Sequence, residues 1–388
     1  MKQKIKVAYL FPNFFWIGAQ RGAAAVLRSL DREKFEPMVF VIRKTEDMAG
    51  EIPSDAPVIE LGAGSALARW RGLRLLFWPF FLDAAIRRHR PDIVVGISPQ
   101  CNFVLVAHRK LFGKSCVFIA EEHQHLTTAL KTEPQGFPAP WRWIYRWSLR
   151  GYNNLEALRT VSNAAREDFI TNWGLRSERV RAIHPAFDLE RIRNSARGVA
   201  KDTGGAVVCS IGRLTDQKNF ELLIRAFRMV RDDMPCRLRI GGKGPNGAAL
   251  QSTVNELGLE QDVELLGFVQ NAEALVASST VFAMSSVWEG FPATLVEAMA
   301  LGVPVVSVNC LSGPAELIED GVNGRLVRGN TPRDLADGIL SVLRRPEQIL
   351  AMGRNATERA EAFSPMRQVG AQQEMFLQLA MAVREAAN

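Results

Sequence analysis

Two glutamates occur in a segment of the chain that is otherwise uncharged. Between Ala274 and Ala315 the charged side chains are Glu289 and Glu297, in the stretch WEGFPATLVEAMALGVPVV. A carboxylate in apolar surroundings is costly unless it is hydrogen-bonded or paired. Carboxylates placed in this way could bind the hydroxyls of a sugar attached to a nucleotide. The rival interpretation is that Glu289 caps a loop and Glu297 pairs with a distant arginine.

The residues around the two glutamates predict a strand followed by a buried helix. TVFAMSS is typical of a strand, Pro292 suits the first turn of a helix, and Gly302 ends it. Because the helix is apolar on all sides, we expect it to be buried. The free N–H groups of Ala293, Thr294 and Leu295 would then form an anion-binding end for a phosphate.

Two cations follow another predicted strand, AVVCSIG. Arg213 and Lys218 come directly after it, beside Gly212, and a helix is predicted to open near Gln217. Arginine offers a planar fork of donors and lysine a compact charge, so together they could hold a diphosphate at the carboxyl end of the strand. Taken singly, each would be an ordinary solvated surface charge.

A glycine motif follows the next predicted strand. IGGKGPNG contains Gly242-x-Gly244-x-x-Gly247, which is formally a dinucleotide fingerprint. The motif lies in the second βαβ unit of its domain, and the acidic residues that follow, Asp262 and Glu264, do not clearly end a strand. We therefore interpret the glycines as a turn near a ligand, and not as an NAD site.

Two histidines in FIAEEHQHLT follow a strand of the first half. A neutral imidazole at His123 or His125 could exchange a hydrogen bond with a substrate hydroxyl. One of the two could equally be a surface residue. No DxD occurs in the sequence and no metal site is recognised. Arg213, Lys218 and the helix end would then supply the positive charge at a diphosphate, and no metal or other cofactor is expected.

The bulk composition indicates a soluble chain of two domains. Its 388 residues form a longer chain than one hydrophobic core usually serves. Its composition, 47% hydrophobic and 23% charged, is ordinary for a soluble protein. The net charge of +7 and a pI of about 9.3 favour anionic partners, such as phosphates, nucleic acid or an acidic membrane. Five scattered cysteines without CxxC, and an apolar start too short for a signal peptide, predict a cytoplasmic protein.

Short β-branched runs alternate with segments of helical period along the whole chain. This rhythm predicts an α/β protein with parallel sheets covered by helices on both faces. We place the domains at residues 1–197 and 203–363, with a final helix at 364–388. The ten predicted strands are IKVAYLF, PMVFVIR, DIVVGIS, SCVFIA, LEALRTVS, AVVCSIG, CRLRIGG, DVELLG, TVFAMSS and VPVVSVN.

Together these segments resemble a known family, the retaining glycosyltransferases of the GT-B fold, of the family 4 type (group 1). The similarity is carried by SIGRLTDQKNFELLIRAF, GKGP, LGFV, SSVWEGFPATLVEAMALGVPVVS and LSGPAELIEDGVNGRLV, in the family's order and spacing. Weaker signatures lie in the first half, in RRHRPDIVVG, EEHQHL and RTVSNAAREDF. Glu289 and Glu297 match the family's E-x7-E motif.

The resemblance implies two Rossmann-like domains that face a central cleft, with the final helix crossing back onto the first domain. The second domain would hold a nucleotide-diphosphate sugar. Arg213 and Lys218 are similar to the family's diphosphate ligands. Glu297 matches the residue that binds the ribose hydroxyls, and Glu289 matches the residue that contacts the donor sugar. His123 is the better match for the family's histidine, although His125 stays open.

The resemblance also implies further contacts to the donor. The family often has paired glycines in its first loop, whereas WIGAQRGA retains Gly18 with Ala19 beside it. The backbone of Thr294 and Leu295 would meet the phosphates. The other residues assigned to donor binding are Phe291 and Ala293, together with Phe268 and Val269, whose backbone would meet the base.

The implied reaction moves a sugar from a nucleotide-diphosphate sugar, with a UDP-sugar favoured, to a hydroxyl of a glycan or lipid-linked acceptor. Such a step belongs to the synthesis of bacterial surface polysaccharide or glycoconjugates, and it would need no metal. A GDP-mannose-type donor is an open alternative. A sugar-nucleotide epimerase of similar fold is a second rival, and a basic protein that binds nucleic acid or lipid is a third. We expect no nucleic-acid partner, because a protein that simply binds nucleic acid would leave the two isolated glutamates unexplained.

Two segments mix arginines with aromatic residues, namely ALARWRGLRLLFWPFFLDAAIRRHR and WRWIYRWSLRGY. Segments of this kind could lie on an anionic membrane surface and admit a lipid-linked acceptor. The alternative is that these aromatics belong to the core of the domain. We therefore predict a cytoplasmic protein that associates peripherally with the inner face of the cell membrane.

Overall fold

The computed structural model describes residues 4–12, 18–43, 52–63, 74–132 and 139–387. The chain divides into two compact units. The first comprises Met1–Ala186 and Pro365–Asn388, and the second comprises Phe187–Ser364. The first loop (residues 13–17) and the start of the first arginine-aromatic segment (residues 66–73) lie outside the described residues.

The first unit is built on a parallel sheet with the strand order β3-β2-β1-β4-β5-β6-β7. Its strands are β1 (Ile5–Phe11), β2 (Phe35–Val41), β3 (Val58–Glu60), β4 (Ile93–Gly96), β5 (Val117–Glu122), β6 (Ala157–Thr160) and β7 (Val180–Ala182). Its helices that precede the second unit in the chain are α1 (Gly18–Ser29), α2 (Arg74–His89), α3 (Pro99–Phe112), α4 (Leu126–Thr132), α5 (Ala139–Gly151) and α6 (Asn163–Trp173).

The second unit repeats this architecture, with the strand order β10-β9-β8-β11-β12-β13. Its strands are β8 (Ala206–Ile211), β9 (Cys236–Gly241), β10 (Val263–Gly267), β11 (Val281–Met284), β12 (Val305–Val308) and β13 (Gly324–Val327). Its helices are α7 (Leu189–Ser195), α8 (Phe220–Asp233), α9 (Gly247–Glu256), α10 (Ala272–Ser278), α11 (Ala293–Ala300), α12 (Pro314–Leu317), α13 (Pro332–Leu343) and α14 (Pro346–Ala360).

The last helix, α15 (Pro365–Ala387), belongs to the first unit. Its residues Val369 and Phe376 are buried in the same core cluster as Val7 and Tyr9 of β1. Leu10 of β1 lies in the cluster on the other face of the sheet. Because successive side chains of a strand point to opposite faces, β1 serves both cores, as its continuous apolar sequence predicts.

The division between the units falls before the segment at which the sequence places it. The chain separates at Ala186 and Phe187, whereas the sequence-based boundary lies at residues 198–202. The physical reason is α7, whose Leu189 and Ile192 are buried in a core cluster of the second unit. The polar stretch after α7 is a surface connection within that unit.

Three strands, β3, β7 and β13, are absent from the ten that the sequence predicts. Each has three or four residues and lies at the edge of its sheet. Short edge strands are partly exposed and show little apolar patterning, so the sequence signal is weak. Within the described residues, no helix is both long enough and apolar enough to cross a membrane.

Candidate active site

The loops after β8 and β11 meet at the carboxyl edge of the second sheet, because these two strands are neighbours. The Nζ of Lys218 lies 2.6 Å from Oε1 of Glu289. Ser286 donates a hydrogen bond of 2.6 Å to the same oxygen. Glu289 is 6% exposed, so this buried carboxylate is both charge-paired and hydrogen-bonded. The structure thus joins two residues that the sequence singled out separately, and it adds Ser286, which was missed.

A second contact joins the same two loops through Gln217, whose side chain is buried. Arg213 donates from Nη2 to the side-chain oxygen of Gln217 over 3.2 Å, and the Gln217 amide donates to the carbonyl of Trp288 over 3.1 Å. Gln217 therefore has a structural role that the sequence did not reveal. The prediction that the helix opens near Gln217 is wrong, because α8 begins at Phe220 with the side chain of Asn219 as its cap.

The glycine motif packs one loop against another. A Cβ at Gly242, where φ is +150°, would lie 1.8 Å from the carbonyl oxygen of Gly212. A Cβ at Gly244 would lie 2.3 Å from the carbonyl oxygen of Leu214. The absence of side chains thus lets the loop after β9 lie against the loop that carries Arg213 and Lys218. This packing explains the motif without a dinucleotide.

The helix α11 is buried except along one stripe. Ala293, Thr294 and Glu297 are partly exposed, whereas Leu295, Val296 and residues 298–300 are buried. Residues three and four positions apart share a helix face, so Glu297 lies on the same face as the first two residues of the helix. This stripe consists of residues that the sequence assigned to donor binding.

One amide of the predicted anion-binding end is already engaged. The N–H of Leu295 donates to the carbonyl of Pro292 over 3.0 Å, so it is not free, contrary to the expectation from the sequence. The reason is a tight first turn, in which an i to i−3 hydrogen bond forms. Ala293 and Thr294 lie in the same turn, where a helix has no i−4 carbonyl to offer their N–H groups.

The segment at residues 311–313 holds the start of α11 in place. Ser312 donates to the carbonyl of Gly290 over 2.7 Å. A Cβ at Gly313, where φ is +103°, would lie 2.2 Å from Cδ of Pro292. These contacts fix the approach to the helix, and the sequence offered no local signal for the partners that they join. The ring of Phe291, a predicted donor residue, packs against the ring of Phe363 with 5.3 Å between centroids.

Phe268 and Val269 directly follow β10, at the carboxyl edge of the same sheet. The Phe268 side chain is 73% exposed. The loop that carries it contacts the glycine loop, because the Gly242 N–H donates to the carbonyl of Gly267 over 2.7 Å. An exposed aromatic ring at this edge is suited to stacking on a flat base.

Cys310 lies near the same site but does not act as a nucleophile. Its burial, and next the negative charge of Glu289, raise the pKa of the Cys310 thiol to about 12. Because the thiolate is the reactive form, a thiol with this pKa is inert at neutral pH.

In the first unit, Glu121 and His123 lie at the end of β5. Oε2 of Glu121 is 3.6 Å from Nε2 of His123, and neither buried atom has a hydrogen-bond partner among the described residues. Glu121 is 1% exposed, and its other oxygen contacts Arg159 at 3.0 Å and Gln372 of α15 at 2.8 Å. The sequence did not predict this carboxylate beside the histidine.

Burial alone would raise the pKa of Glu121, but the adjacent Arg159 guanidinium and the His123 side chain lower it to about 2. Glu121 is therefore ionised throughout the physiological range. Its neighbour Glu122 shows the opposite effect, because burial raises the pKa of its carboxyl above the ordinary value. Tyr145 and Tyr152 donate hydrogen bonds to the Glu122 carboxyl over 2.8 and 2.5 Å, respectively.

His125 is engaged in local structure. Its Nδ1 lies 3.0 Å from the hydroxyl of Thr128 and 3.6 Å from the carboxylate of Asp168, and the residue is 9% exposed. His123, by contrast, has a side chain that is 25% exposed. Of the two predicted histidines, His123 is thus the more accessible to a ligand. Gly18 and Ala19, which the sequence analysis places in the first loop, are the first residues of α1.

Comparison with known proteins gives two adjoining matches that cover most of the chain. Residues 16–191 match the model "Glycosyltransferase Family 4", and residues 192–359 match "Glycosyl transferases group 1". A Campylobacter jejuni protein is 32% identical over 218 residues. Its name is N-acetylgalactosamine-N,N'-diacetylbacillosaminyl-diphospho-undecaprenol 4-alpha-N-acetylgalactosaminyltransferase. The match covers 56% of this chain and 58% of that relative.

Two solved structures share the fold over nearly the whole chain. Anabaena HepE in complex with UDP is 20% identical with a TM-score of 0.77, and the match covers 97% of this chain and 100% of that one. The sucrose-phosphate synthase of Thermosynechococcus elongatus is 19% identical with a TM-score of 0.78, and the match covers 98% of this chain and 100% of that one. These likenesses, with the two parallel sheets, confirm the predicted fold class of GT-B type with two Rossmann-like domains.

Proposed function

The chain belongs to the family 4 (group 1) glycosyltransferases, and from this premise we propose that it transfers a sugar from a nucleotide-diphosphate donor to a hydroxyl group. We propose further that the configuration at the anomeric carbon is retained. The observation that carries the proposal is the accessible stripe of α11, formed by Ala293, Thr294 and Glu297, on the same unit as the Lys218–Glu289 pair.

The donor diphosphate would bind to positive charge on the second unit. Arg213 and Lys218 lie in the loop after β8, and the first turn of α11 adds the partial positive charge of a helix amino end. As the bond to the diphosphate breaks, negative charge grows on the leaving oxygen, and these groups would stabilise it. Losing one such contact typically lowers the rate by roughly 10²–10³.

Glu289 would orient the donor sugar and would not attack it. The Lys218 ammonium and the Ser286 hydroxyl both engage Oε1 of Glu289, which fixes the carboxylate in place. The leaving phosphate would itself take the proton of the acceptor hydroxyl, so the retaining step needs no carboxylate nucleophile. Because cationic side chains serve the diphosphate, the reaction would proceed without a metal ion.

The remaining donor contacts would involve the ribose and the base. Glu297, partly exposed on the stripe of α11, would accept hydrogen bonds from the ribose hydroxyls. The exposed Phe268 ring and Val269 would lie against the base. A UDP-sugar is the favoured donor, and the structure of HepE with UDP supports this choice. A GDP-mannose-type donor is the alternative.

The acceptor would be a hydroxyl of a glycan or of a lipid-linked sugar, in the synthesis of bacterial surface polysaccharide or glycoconjugates. The name of the Campylobacter relative, which includes diphospho-undecaprenol, supports a lipid-linked acceptor. On the first unit, His123 would contact the sugar or the acceptor hydroxyl. The protein would work in the cytoplasm, bound peripherally to the inner face of the membrane.

Two measurements test the proposal. Thermal-shift screening with UDP, GDP, ADP and their sugars should show the largest stabilisation with UDP and one UDP-sugar, since a ligand that binds the folded state raises its stability. Incubation with that donor and an acceptor, followed by NMR of the product, should show the anomeric configuration of the donor. Inversion would contradict the retaining step. Conversion of the donor without an acceptor would indicate an epimerase.

A further inference from the structure

A buried carboxylate lies beside the histidine that would contact the substrate in the proposed function. Glu121 is in β5, and His123 follows it two positions later. Side chains two positions apart in an extended chain point to the same side, so the two share one face of the sheet. On this face Ile119 packs in the same core cluster as Val369 of α15. The fold thus places the carboxylate between the histidine ring and the interior of the unit.

One oxygen of Glu121 is occupied by two donors. Oε1 lies 3.0 Å from Nη1 of Arg159, and Gln372 of α15 donates to it over 2.8 Å. Arg159 is itself held in place, because it donates to the carbonyls of Ile183 and His184 over 3.1 Å each. The carboxylate therefore cannot turn without breaking its contacts with both β6 and α15.

The other oxygen of Glu121 faces the histidine ring. Oε2 lies 3.6 Å from Nε2 of His123, both atoms are buried, and neither has a hydrogen-bond partner among the described residues. The heavy atoms of an N–H···O hydrogen bond are about 2.7–3.2 Å apart, so an approach of roughly half an ångström would form one. Hydrogen bonds of catalytic sites are often long without substrate and shorten when it binds.

The charge of Glu121 decides which ring atom of His123 is the donor. Although burial raises the pKa of Glu121, Arg159 and His123 bring it down to about 2, so the group is a carboxylate at neutral pH. A carboxylate can only accept hydrogen bonds. Nε2 of His123 must then carry the proton, and in a neutral ring Nδ1 is left as an acceptor.

We propose that Glu121 is a positioning residue of the candidate active site, which binds the Nε2–H of His123 and so presents Nδ1 to accept a hydrogen bond from a substrate hydroxyl. The His123 side chain is 25% exposed while its Nε2 is buried, so the accessible part of the ring lies away from Glu121. The inference rests on the proposed function and deepens it, because it makes His123 an acceptor and not a donor.

Nitrogen-15 NMR of the histidine rings tests the proposal without substrate. The chain has five histidines, and His123→Gln identifies the signals of His123. At about pH 8, where an ordinary histidine is neutral, the wild type should have a proton on Nε2 and none on Nδ1. In Glu121→Gln the tautomer should reverse. Arg159 and Gln372 still require an acceptor there, so the new amide turns its oxygen to them and its NH₂ group to Nε2.

Turnover gives a second test. Glu121→Gln should lower kcat/KM by roughly 10–100-fold, because the substrate hydroxyl then meets a ring N–H in place of an acceptor. The matched control is Glu156→Gln. Glu156 is also a carboxylate of the first unit paired with an arginine, Arg109 at 2.9 Å, and its side chain is 10% exposed. Because it precedes the amino end of β6, away from His123, this control should keep turnover within about twofold of the wild type.

Two replacements of the histidine separate positioning from a merely structural role. The carboxamide of His123→Asn reaches the place of Nδ1, and that of His123→Gln reaches the place of Nε2. Transfer should therefore be faster in His123→Asn than in His123→Gln. Adding Glu121→Gln to His123→Asn should change the rate by less than about twofold, since the acceptor no longer depends on a ring tautomer.

The affinity for the donor, measured without an acceptor, identifies the hydroxyl. If the hydroxyl belongs to the donor sugar, Glu121→Gln should weaken the binding of the UDP-sugar and leave the binding of UDP unchanged. If it belongs to the acceptor, both affinities should be unchanged and the KM for the acceptor should rise.

Several outcomes would overturn the proposal. These are a wild-type His123 ring with its proton on Nδ1 or with protons on both nitrogens, an unchanged tautomer in Glu121→Gln, equal losses of turnover in Glu121→Gln and Glu156→Gln, and faster transfer in His123→Gln than in His123→Asn. Should Glu121→Gln fail to fold in a thermal melt, the wild-type spectrum and the two replacements of His123 decide. An absence of transfer by the wild type would refute the proposed function, whereas the spectrum would still test the positioning of the ring.

Discussion

Lys218 and Glu289 form a buried ion pair that joins two loops far apart in the sequence. Their charged atoms are 2.6 Å apart, and their side chains are 15% and 7% exposed. Removing one partner of a buried pair leaves the other charge uncompensated, which is usually more costly than removing both. The pair therefore supports the fold of the site, and in the proposed function it also serves the donor, so tests of its function must separate these two contributions.

We predict that Lys218→Ala lowers turnover by roughly 10²–10³, because a positive charge beside the leaving diphosphate is lost. The variant should also lose about 3 kcal/mol of stability, since Glu289 stays buried without its cation. Initial rates at saturating donor measure the first effect, and chemical denaturation measures the second. The double variant K218M/E289Q should recover stability but not turnover.

A matched control for this variant is Arg225→Ala. Arg225 lies on α8 and pairs with Glu221 at 2.8 Å, but both side chains are exposed. Exposed pairs contribute about 0–1 kcal/mol, so stability and turnover should change little. Wild-type turnover in a folded Lys218→Ala protein would refute the assignment of Lys218 to the diphosphate.

We predict that Glu297→Ala weakens the binding of UDP by roughly 10–100-fold, because hydrogen bonds between a carboxylate and the ribose hydroxyls contribute about 1.5–3 kcal/mol. Calorimetric titration measures the affinity. A double-mutant cycle with 2′-deoxy-UDP then locates the contact. The wild type should discriminate between the two nucleotides, and the variant should not. Equal discrimination by both proteins would place Glu297 away from the ribose.

The sequence predicts the interior of this fold better than its edges. The strand alternation that places Val7 and Tyr9 on one face and Leu10 on the other is a local property, so it can be read from the residues. The edge strand β3 has three partly exposed residues and gives no such signal. The unit boundary depends on where the apolar face of α7 packs, which is a tertiary property.

The site shows the same distinction. Glu289 and Lys218 are visible in the sequence because a charge in an apolar segment, or a cation after a strand, is a local anomaly. Their pairing is not visible, because 71 residues separate them and the contact depends on β8 and β11 being neighbours. Ser286 and Gln217 were missed for the same reason, since neither residue type is unusual in its own segment.

We predict that Gly242→Ala destabilises the second unit by about 2–4 kcal/mol, because the new methyl group would collide with the Gly212 carbonyl in a backbone region unfavourable to alanine. Gly258→Ala is the matched control. Gly258 also has a positive φ, +62°, but no atom lies within 4 Å of a Cβ there. It should lose only about 1 kcal/mol. Equal losses in the two variants would show that backbone strain, and not loop packing, explains the glycine.

We predict that transfer survives a chelator. If Arg213, Lys218 and the amino end of α11 neutralise the leaving diphosphate, EDTA should leave the initial rate within about twofold of its value. The comparison is made with protein dialysed against EDTA and with added magnesium or manganese. Complete loss in EDTA with recovery on adding manganese would mean that a metal ion serves the diphosphate and that the cationic residues do not suffice.

The adjacent glutamates of β5, Glu121 and Glu122, should make the stability of the fold depend on pH in opposite directions. Glu121 has a pKa of about 2, below the ordinary 4.5, so the unfolded chain binds its proton first as the pH falls. Its contribution, on the order of 3 kcal/mol, is present above about pH 4.5 and is lost as the pH falls toward 2. For Glu122 the pKa is raised, so the folded state holds its proton more tightly. Stability should therefore decrease as the pH rises above 4.5.

Chemical denaturation of the full chain at a series of pH values, with Glu121→Gln and Glu122→Gln, separates the two effects. Glu121→Gln should be less stable than the wild type at neutral pH and should approach it in acid, because the lowered pKa no longer contributes. Glu122→Gln should remove the decrease in stability above pH 4.5. If the stability of both variants ran parallel to that of the wild type across the whole pH range, the pKa of neither carboxyl would be perturbed in the folded protein.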